Sequence, residues 1–133
     1  MRLLTLARDL RRRKSRERQS LFVVEGVRAL EELLKSPLSV RGVLSAPQLA
    51  DAPRGRALLD SIAASHIEHS IVNEAEFRSA AETESPQGVL AIAEIPGRSL
   101  NAFAGAGTLR LVVLDAVQDP GNVGTIVRTA AAL

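Results

Sequence analysis

Apolar positions along this chain recur with two different periods, and the changes from one period to the other lay out its elements. Leu3, Ala7 and Leu10 stand at i, i+4 and i+7, which predicts an amphipathic helix at the N-terminus, whereas from Arg11 to Ser20 apolar residues vanish. LFVVE (21–25) is a short β-type run. Gly26 then opens VRALEELLKS, where Val27, Leu30 and Leu34 line one helical stripe before Pro37 ends it. VRGVL (40–44) predicts a second strand. Pro53 stands near a helix start, and RGRALLDSIAAS after it turns Leu58, Leu59 and Ile62 inward. HIEHSIV (66–72) reads as a third strand, and Asn73 with Glu76 as a capping-box start for a short helix through Phe77 to Ala81. SPQGVLAIAEIP (85–96) gives a turn and a fourth strand. Strands alternating with helices predict an α/β domain around a parallel or mixed sheet, complete by about Pro96.

Beyond it the texture changes. GRSLNAFAGAGT (97–108) is small and Gly/Ala-rich, as a linker is. LRLVVLD (109–115) follows as an expected fifth strand, of the nearly all-apolar kind that is buried on both faces. Val117 to Gly121 then read as a loop, Asn122 as an N-cap and Val123 as the start of a helix. Val123, Ile126, Val127, Ala130 and Ala131 share one helical face, which is expected to lie on a sheet. The expected organisation is a first domain over 1–96, a linker over 97–108 and the start of a second, unfinished domain over 109–133.

Composition and charge narrow the functional classes. With 133 residues and 46% apolar content, a core can form, and it is aliphatic because the chain has three Phe and neither Tyr nor Trp. The absence of cysteine excludes a disulfide framework and any thiolate chemistry. No apolar run is long enough to cross a bilayer and the N-terminus is charged rather than signal-like, so a cytoplasmic protein away from membranes is expected. Residues 1–18 hold eight basic side chains (Arg2, Arg8, Arg11, Arg12, Arg13, Lys14, Arg16, Arg18) against Asp9 and Glu17, a net +6, and the rest of the chain carries −4. Such a basic arm points to a polyanion, because neutralised phosphates release condensed counterions. Arg8, Arg11, Arg12, Arg13, Lys14, Arg16 and Arg18 are therefore candidate RNA-binding residues, and without Tyr or Trp they would act through phosphate and shape rather than base stacking.

The final stretch carries the other candidate chemistry. Gly121 and Gly124 permit close backbone approach, and the first helical turn offers free N–H groups to an anion. Arg128 lies beside the apolar stripe, and its side chain should lean back toward the Pro-Gly-Asn loop, where a cation opposes the helix dipole. That placement suits a phosphate or carboxylate partner, and equally a solvent-facing arginine on a helix flank. His66 and His69, placed on one strand, would face opposite sides of it and could not share an ion, so no metal is expected. Asp115 and Asp119 read as a strand end and an Asp-Pro turn.

LVVLDAVQDPGNVGTIVRTAAAL closely resembles the first motif of the SpoU (TrmH) family of RNA 2′-O-ribose methyltransferases. RERQSLFVVEGVRALEELL and SPQGVLAIAEIP resemble the two ends of that family's N-terminal substrate-binding domain, in the same order. The resemblance implies an L30e-like, three-layer α/β substrate-binding domain, followed by the first strand and helix of a truncated trefoil-knot (SPOUT) domain. It implies S-adenosylmethionine as methyl donor in the full-length protein only, a homodimer formed through the complete catalytic domain, and RNA as substrate, ribosomal rather than transfer. It places Asn122 and Arg128 in the active site, and leaves Glu25 and Gly26 a structural part. Arg128, always protonated, would clamp a phosphate and stabilise a developing alkoxide rather than act as a free base. The family's second and third motifs should follow residue 133, so the chain is expected to be a fragment, inactive alone. RSLNAF (98–103) echoes the third motif but precedes the first, and is taken as coincidence. The competing reading is a stand-alone L30e-like RNA-binding module without catalysis; a basic-armed DNA-binding or assembly protein leaves residues 109–133 unexplained.

Overall fold

The stripe of Leu3, Leu4, Ala7 and Leu10 makes α1 (Arg2–Leu10) a core helix, with all four side chains buried. Each of the three leucines so removed from water contributes about 1.5–3 kcal/mol. The N-terminal segment is therefore not a free arm: its cations ride on an element that the core holds down. The apolar-free stretch that follows, for which the pattern predicted nothing, forms a second short helix, α2 (Arg13–Gln19), and only Ser15 in it is buried. The computed structural model describes residues 2–105 and 107–133, so Met1, and Ala106 within the expected linker, lie outside the described residues.

β1 (Leu21–Glu25), α3 (Val27–Lys35), β2 (Val40–Ser45), α4 (Pro53–Ala64), β3 (His69–Ile71), α5 (Glu74–Ala80) and β4 (Val89–Glu94) follow in chain order. They build a four-stranded mixed sheet in the order β1-β4-β2-β3. β4 runs antiparallel to both β1 and β2, and β2 and β3 pair in parallel. The period-2 alternation of β4 splits its side chains between two layers. Leu90 and Ile92 meet α1 and α5 through Leu4, Leu10, Phe77 and Ala80. Val89, Ala91 and Ala93 meet α3 and α4 through Leu30, Leu33, Leu58 and Ile62. The result is a three-layer α/β sandwich.

Asn73 caps α5 as its spacing predicts: its side chain accepts from the Glu76 N–H while the Glu76 carboxylate accepts from the Asn73 N–H. A 3₁₀ turn at Pro47–Asp51 was not legible in the pattern, and it sends Leu49 into the α3–α4 layer. The third strand is shorter than expected. His66 takes a left-handed conformation (φ 56°), so the chain is still turning there and pairing begins only at His69. The two histidines thus do not share a strand.

The chain divides into two units, Met1–Gly97 and Arg98–Leu133. The second holds a 3₁₀ turn at Leu100–Phe103 and α6 (Pro120–Ala132). The fifth strand expected over 109–115 does not form. A strand is a paired structure, and no described segment pairs with this run, which leaves Leu111, Val112 and Val113 exposed. On the apolar face expected of α6, Val123 and Ile126 are half-buried, and Val127, Ala130 and Ala131 are exposed.

Candidate functional site

The cations of the N-terminal surface occupy different situations once α1 and α2 are in place. Asp9 joins the two helices, accepting from the Ser15 hydroxyl (3.0 Å) and the Gln19 amide (2.9 Å). Arg16 folds back to donate to the carbonyls of Leu10 (2.8 Å) and Arg11 (3.0 Å), and lies 3.7 Å from Glu82. The α1 terminus leaves such carbonyls without helical partners, and a guanidinium is well suited to satisfy them. Arg8 donates to the Ser79 hydroxyl (2.7 Å) and Arg11 to the Ser79 carbonyl (3.1 Å), which ties α1 to the end of α5. Arg13 pairs with Glu17 at 2.7 Å and Arg18 lies 3.5 Å from Asp9, both at the surface. Arg12 and Lys14 are exposed and have no partner among the described residues.

A second feature was missed in the sequence. A cleft of about 480 Å³ opens where β1 turns into α3, lined among others by Gly26, Arg28, Gln48, Arg54 and Gln87. Arg54 grips Glu31 through two hydrogen bonds (2.8 and 2.5 Å), and chiefly this bond holds the Glu31 carboxyl below its ordinary range. Glu25 and Gly26 both line the cleft. The Glu25 carboxylate accepts from the Glu82 N–H (2.9 Å) and from the Thr83 hydroxyl, while Gln87 accepts from the Val27 N–H (2.8 Å). The lining of the cleft comes from three separate stretches of chain, around residues 25–29, 48–55 and 87, so no local motif announces it.

In the other unit the helix begins earlier than its sequence suggests. Asp119, not Asn122, is the N-cap: its carboxylate accepts from the N–H groups of Gly121 (2.6 Å) and Asn122 (3.1 Å). Pro120 sits at the first helical position, where its fixed φ and missing N–H cost nothing, so the Asp-Pro pair outcompetes Asn122. Asn122 is left exposed in the first turn, its side chain free of capping duty. Arg128 does lean toward the N-terminus of the helix, as its position predicts. Its guanidinium donates to the Thr125 hydroxyl (3.3 Å), which itself donates to the Gly121 carbonyl (3.0 Å). The head also passes over Gly124, where a Cβ would stand 3.1 Å from Nη1. No described residue of 98–133 is buried, so these residues alone do not fit around a ligand as large as S-adenosylmethionine.

The Nε2 of His69 lies 2.8 Å from the hydroxyl of Ser45, which is buried. Burial pushes the His69 imidazole below its ordinary pKa. Among the described residues, no helix is long and apolar enough to cross a membrane.

Comparison with known proteins gives this three-layer sandwich a family. Residues 5–91 match the MRM3-like substrate binding domain, and the chain belongs to that family. It is 34% identical over 125 residues to the 23S rRNA (guanosine(2553)-2'-O)-methyltransferase RlmP of Bacillus subtilis, covering 94% of this chain and 45% of that protein. It is 28% identical over 121 residues to the 23S rRNA (uridine(2479)-2'-O)-methyltransferase of Streptomyces viridochromogenes, covering 91% of this chain and 42% of the relative. Among solved structures, the SpoU methyltransferase AviRb of Streptomyces viridochromogenes in complex with AdoMet superposes with a TM-score of 0.73 at 26% identity, over 98% of this chain and 49% of that one. An RNA 2'-O ribose methyltransferase gives a TM-score of 0.70 at 24% identity, which speaks to fold alone. The chain thus spans about half the length of the curated relatives it matches.

Proposed function

We propose that this chain supplies the RNA-recognition half, and the first catalytic motif, of an S-adenosylmethionine-dependent RNA 2′-O-ribose methyltransferase that acts on ribosomal RNA in the cytoplasm. The observation that carries the reading is the match of residues 5–91 to a substrate-binding domain whose N-terminal helices present the chain's main concentration of cations. In this reading residues 1–96 hold RNA, 97–108 link, and 109–133 begin the catalytic domain, which dimerises when complete. The methyl donor, when bound, supplies an electrophilic methyl group to the ribose 2′-oxygen. In this reading Arg128 holds a neighbouring phosphate and stabilises charge as that oxygen loses its proton, and Asn122, which does not cap the helix, belongs to the same active site.

Methyl-transfer assays with radiolabelled donor and ribosomal RNA test this. The 133-residue chain is expected to retain RNA and transfer no methyl group, and a protein in which it continues to its relatives' length is expected to methylate a ribose, seen as an alkali-resistant linkage. Methylation of a base, or no RNA retention by either protein, overturns the reading. RNA retention by both with methylation by neither favours a stand-alone binding module.

A further inference from the structure

We infer that seven of the eight cations of residues 1–18 divide into two sets: Arg12, Arg13, Lys14 and Arg18 form an outer ridge that takes the phosphates of RNA, while Arg8, Arg11 and Arg16 lock the helical elbow that carries the ridge. The inference rests on the RNA reading above and says which side chains perform it. Arg16 is held by two carbonyls at the end of α1, and Arg8 and Arg11 are held by Ser79. A phosphate could recruit them only by reopening those bonds. Their engagement, with the Asp9 clasp on Ser15 and Gln19, sets α2 in one orientation, the Ser15 side inward.

That orientation leaves Lys14 and Arg18 one helical turn apart on the outer side. Like charges at this spacing weaken a helix, so folding alone gives no reason to place them there. Arg12 and Lys14 have no partner among the described residues. Arg13 pairs with the exposed Glu17 and Arg18 lies 3.5 Å from the half-buried Asp9, but the two cation side chains are 84% and 73% exposed, so both pairs hold weakly enough for a phosphate to replace them. The ridge suits RNA rather than a membrane surface because α2, RKSRERQ, presents no apolar residue for insertion between lipids. It suits the backbone rather than the bases because no aromatic side chain stands among residues 1–20.

Binding of the 133-residue chain to a fluorescein-labelled ribosomal RNA stem–loop, followed by anisotropy across a salt series, tests the division. Arg12→Gln with Lys14→Gln should reduce the slope of log K against log salt by about 1.4–1.8 and leave the thermal transition in place. Arg8→Gln should lower the thermal transition and keep the slope. An unchanged slope in the Arg12→Gln, Lys14→Gln chain while RNA still binds overturns the division and spares the RNA reading. So does an Arg8→Gln chain, folded at the assay temperature, whose slope falls as far. No binding by the unmodified chain, or preference for phosphatidylserine vesicles over RNA, overturns both.

Discussion

Arg128 illustrates how much a single position can say once its neighbours are placed. Arg128 stands in the second half of α6, and its head leans one turn back toward the helix start, onto Thr125. If the head acts only as negative charge develops on the 2′-oxygen, Arg128→Ala in a protein of the relatives' length should lower kcat by about 10²–10³-fold, with cofactor affinity little changed. Arg128→Lys should restore little, because a point charge does not reproduce a planar fork. Single-turnover methylation measures both, and near-normal turnover by Arg128→Ala returns the residue to a surface flank. His69 yields a prediction of another kind. Burial favours its neutral form, so below the ordinary pKa of 6.5 the unfolded chain binds the proton that the folded one refuses. The His69 contribution to stability is therefore intact above pH 6.5 and is lost as pH falls toward the lowered folded value. Denaturant midpoints on either side of that pH should differ less in His69→Gln than in the parent; an equal difference assigns the effect to other groups.

At the scale of elements, close approach matters more than periodicity. The 3₁₀ turn at 47–51 lies against the start of α4 so tightly that a Cβ on Gly55 would stand 1.8 Å from the Leu49 carbonyl oxygen. Backbone cannot rotate away as a side chain can, so Gly55→Ala should destabilise the domain by about 3 kcal/mol, the upper range for overpacking. Gly97→Ala, with nothing within 4 Å of its Cβ, serves as the neutral comparison in the same denaturation experiment. Equal stability of the two variants would mean that the turn yields freely. Helix starts tell a related story. Asn73 caps α5 because nothing nearby competes with it, whereas Asn122 loses the cap of α6 to an Asp-Pro pair just before it.

For the whole molecule, the contrast between the two units governs behaviour. Met1–Gly97 has two apolar layers around its sheet, and Arg98–Leu133 has no buried residue among those described. Limited proteolysis should therefore trim 98–133 and leave a folded core near residue 97. Leu111, Val112 and Val113, exposed in a row, should make the intact chain self-associate with rising concentration in sedimentation experiments, and the trimmed core should not. Equal protease resistance across the chain would contradict this view. Titration calorimetry should find no S-adenosylmethionine binding by the 133-residue chain, since a ligand of that size needs walls that these residues do not supply.

What the sequence determined by itself was local. Helical stripes such as Leu3, Ala7 and Leu10, the alternation of VLAIAE in β4, the Asn73–Glu76 box and the proline at the head of α4 all act within a few residues, where hydrogen bonding and side-chain direction follow from spacing. The roles expected of Asn122 and Arg128 came instead from the resemblance of residues 111–133 to a family motif. Tertiary structure alone decided that the last strand of the domain enters between the first two, giving β1-β4-β2-β3. It decided that Arg8, Arg11 and Arg16 satisfy groups on α5 and at the end of α1 while Arg12 and Lys14 stay unpaired, and that three distant stretches line one cleft. It decided too that 109–115, strand-like in composition, pairs with nothing described. Composition can favour an extended chain, but a strand exists only when a second backbone accepts and donates its hydrogen bonds, and a cation becomes a lock or a ligand according to which carbonyls stand within its reach.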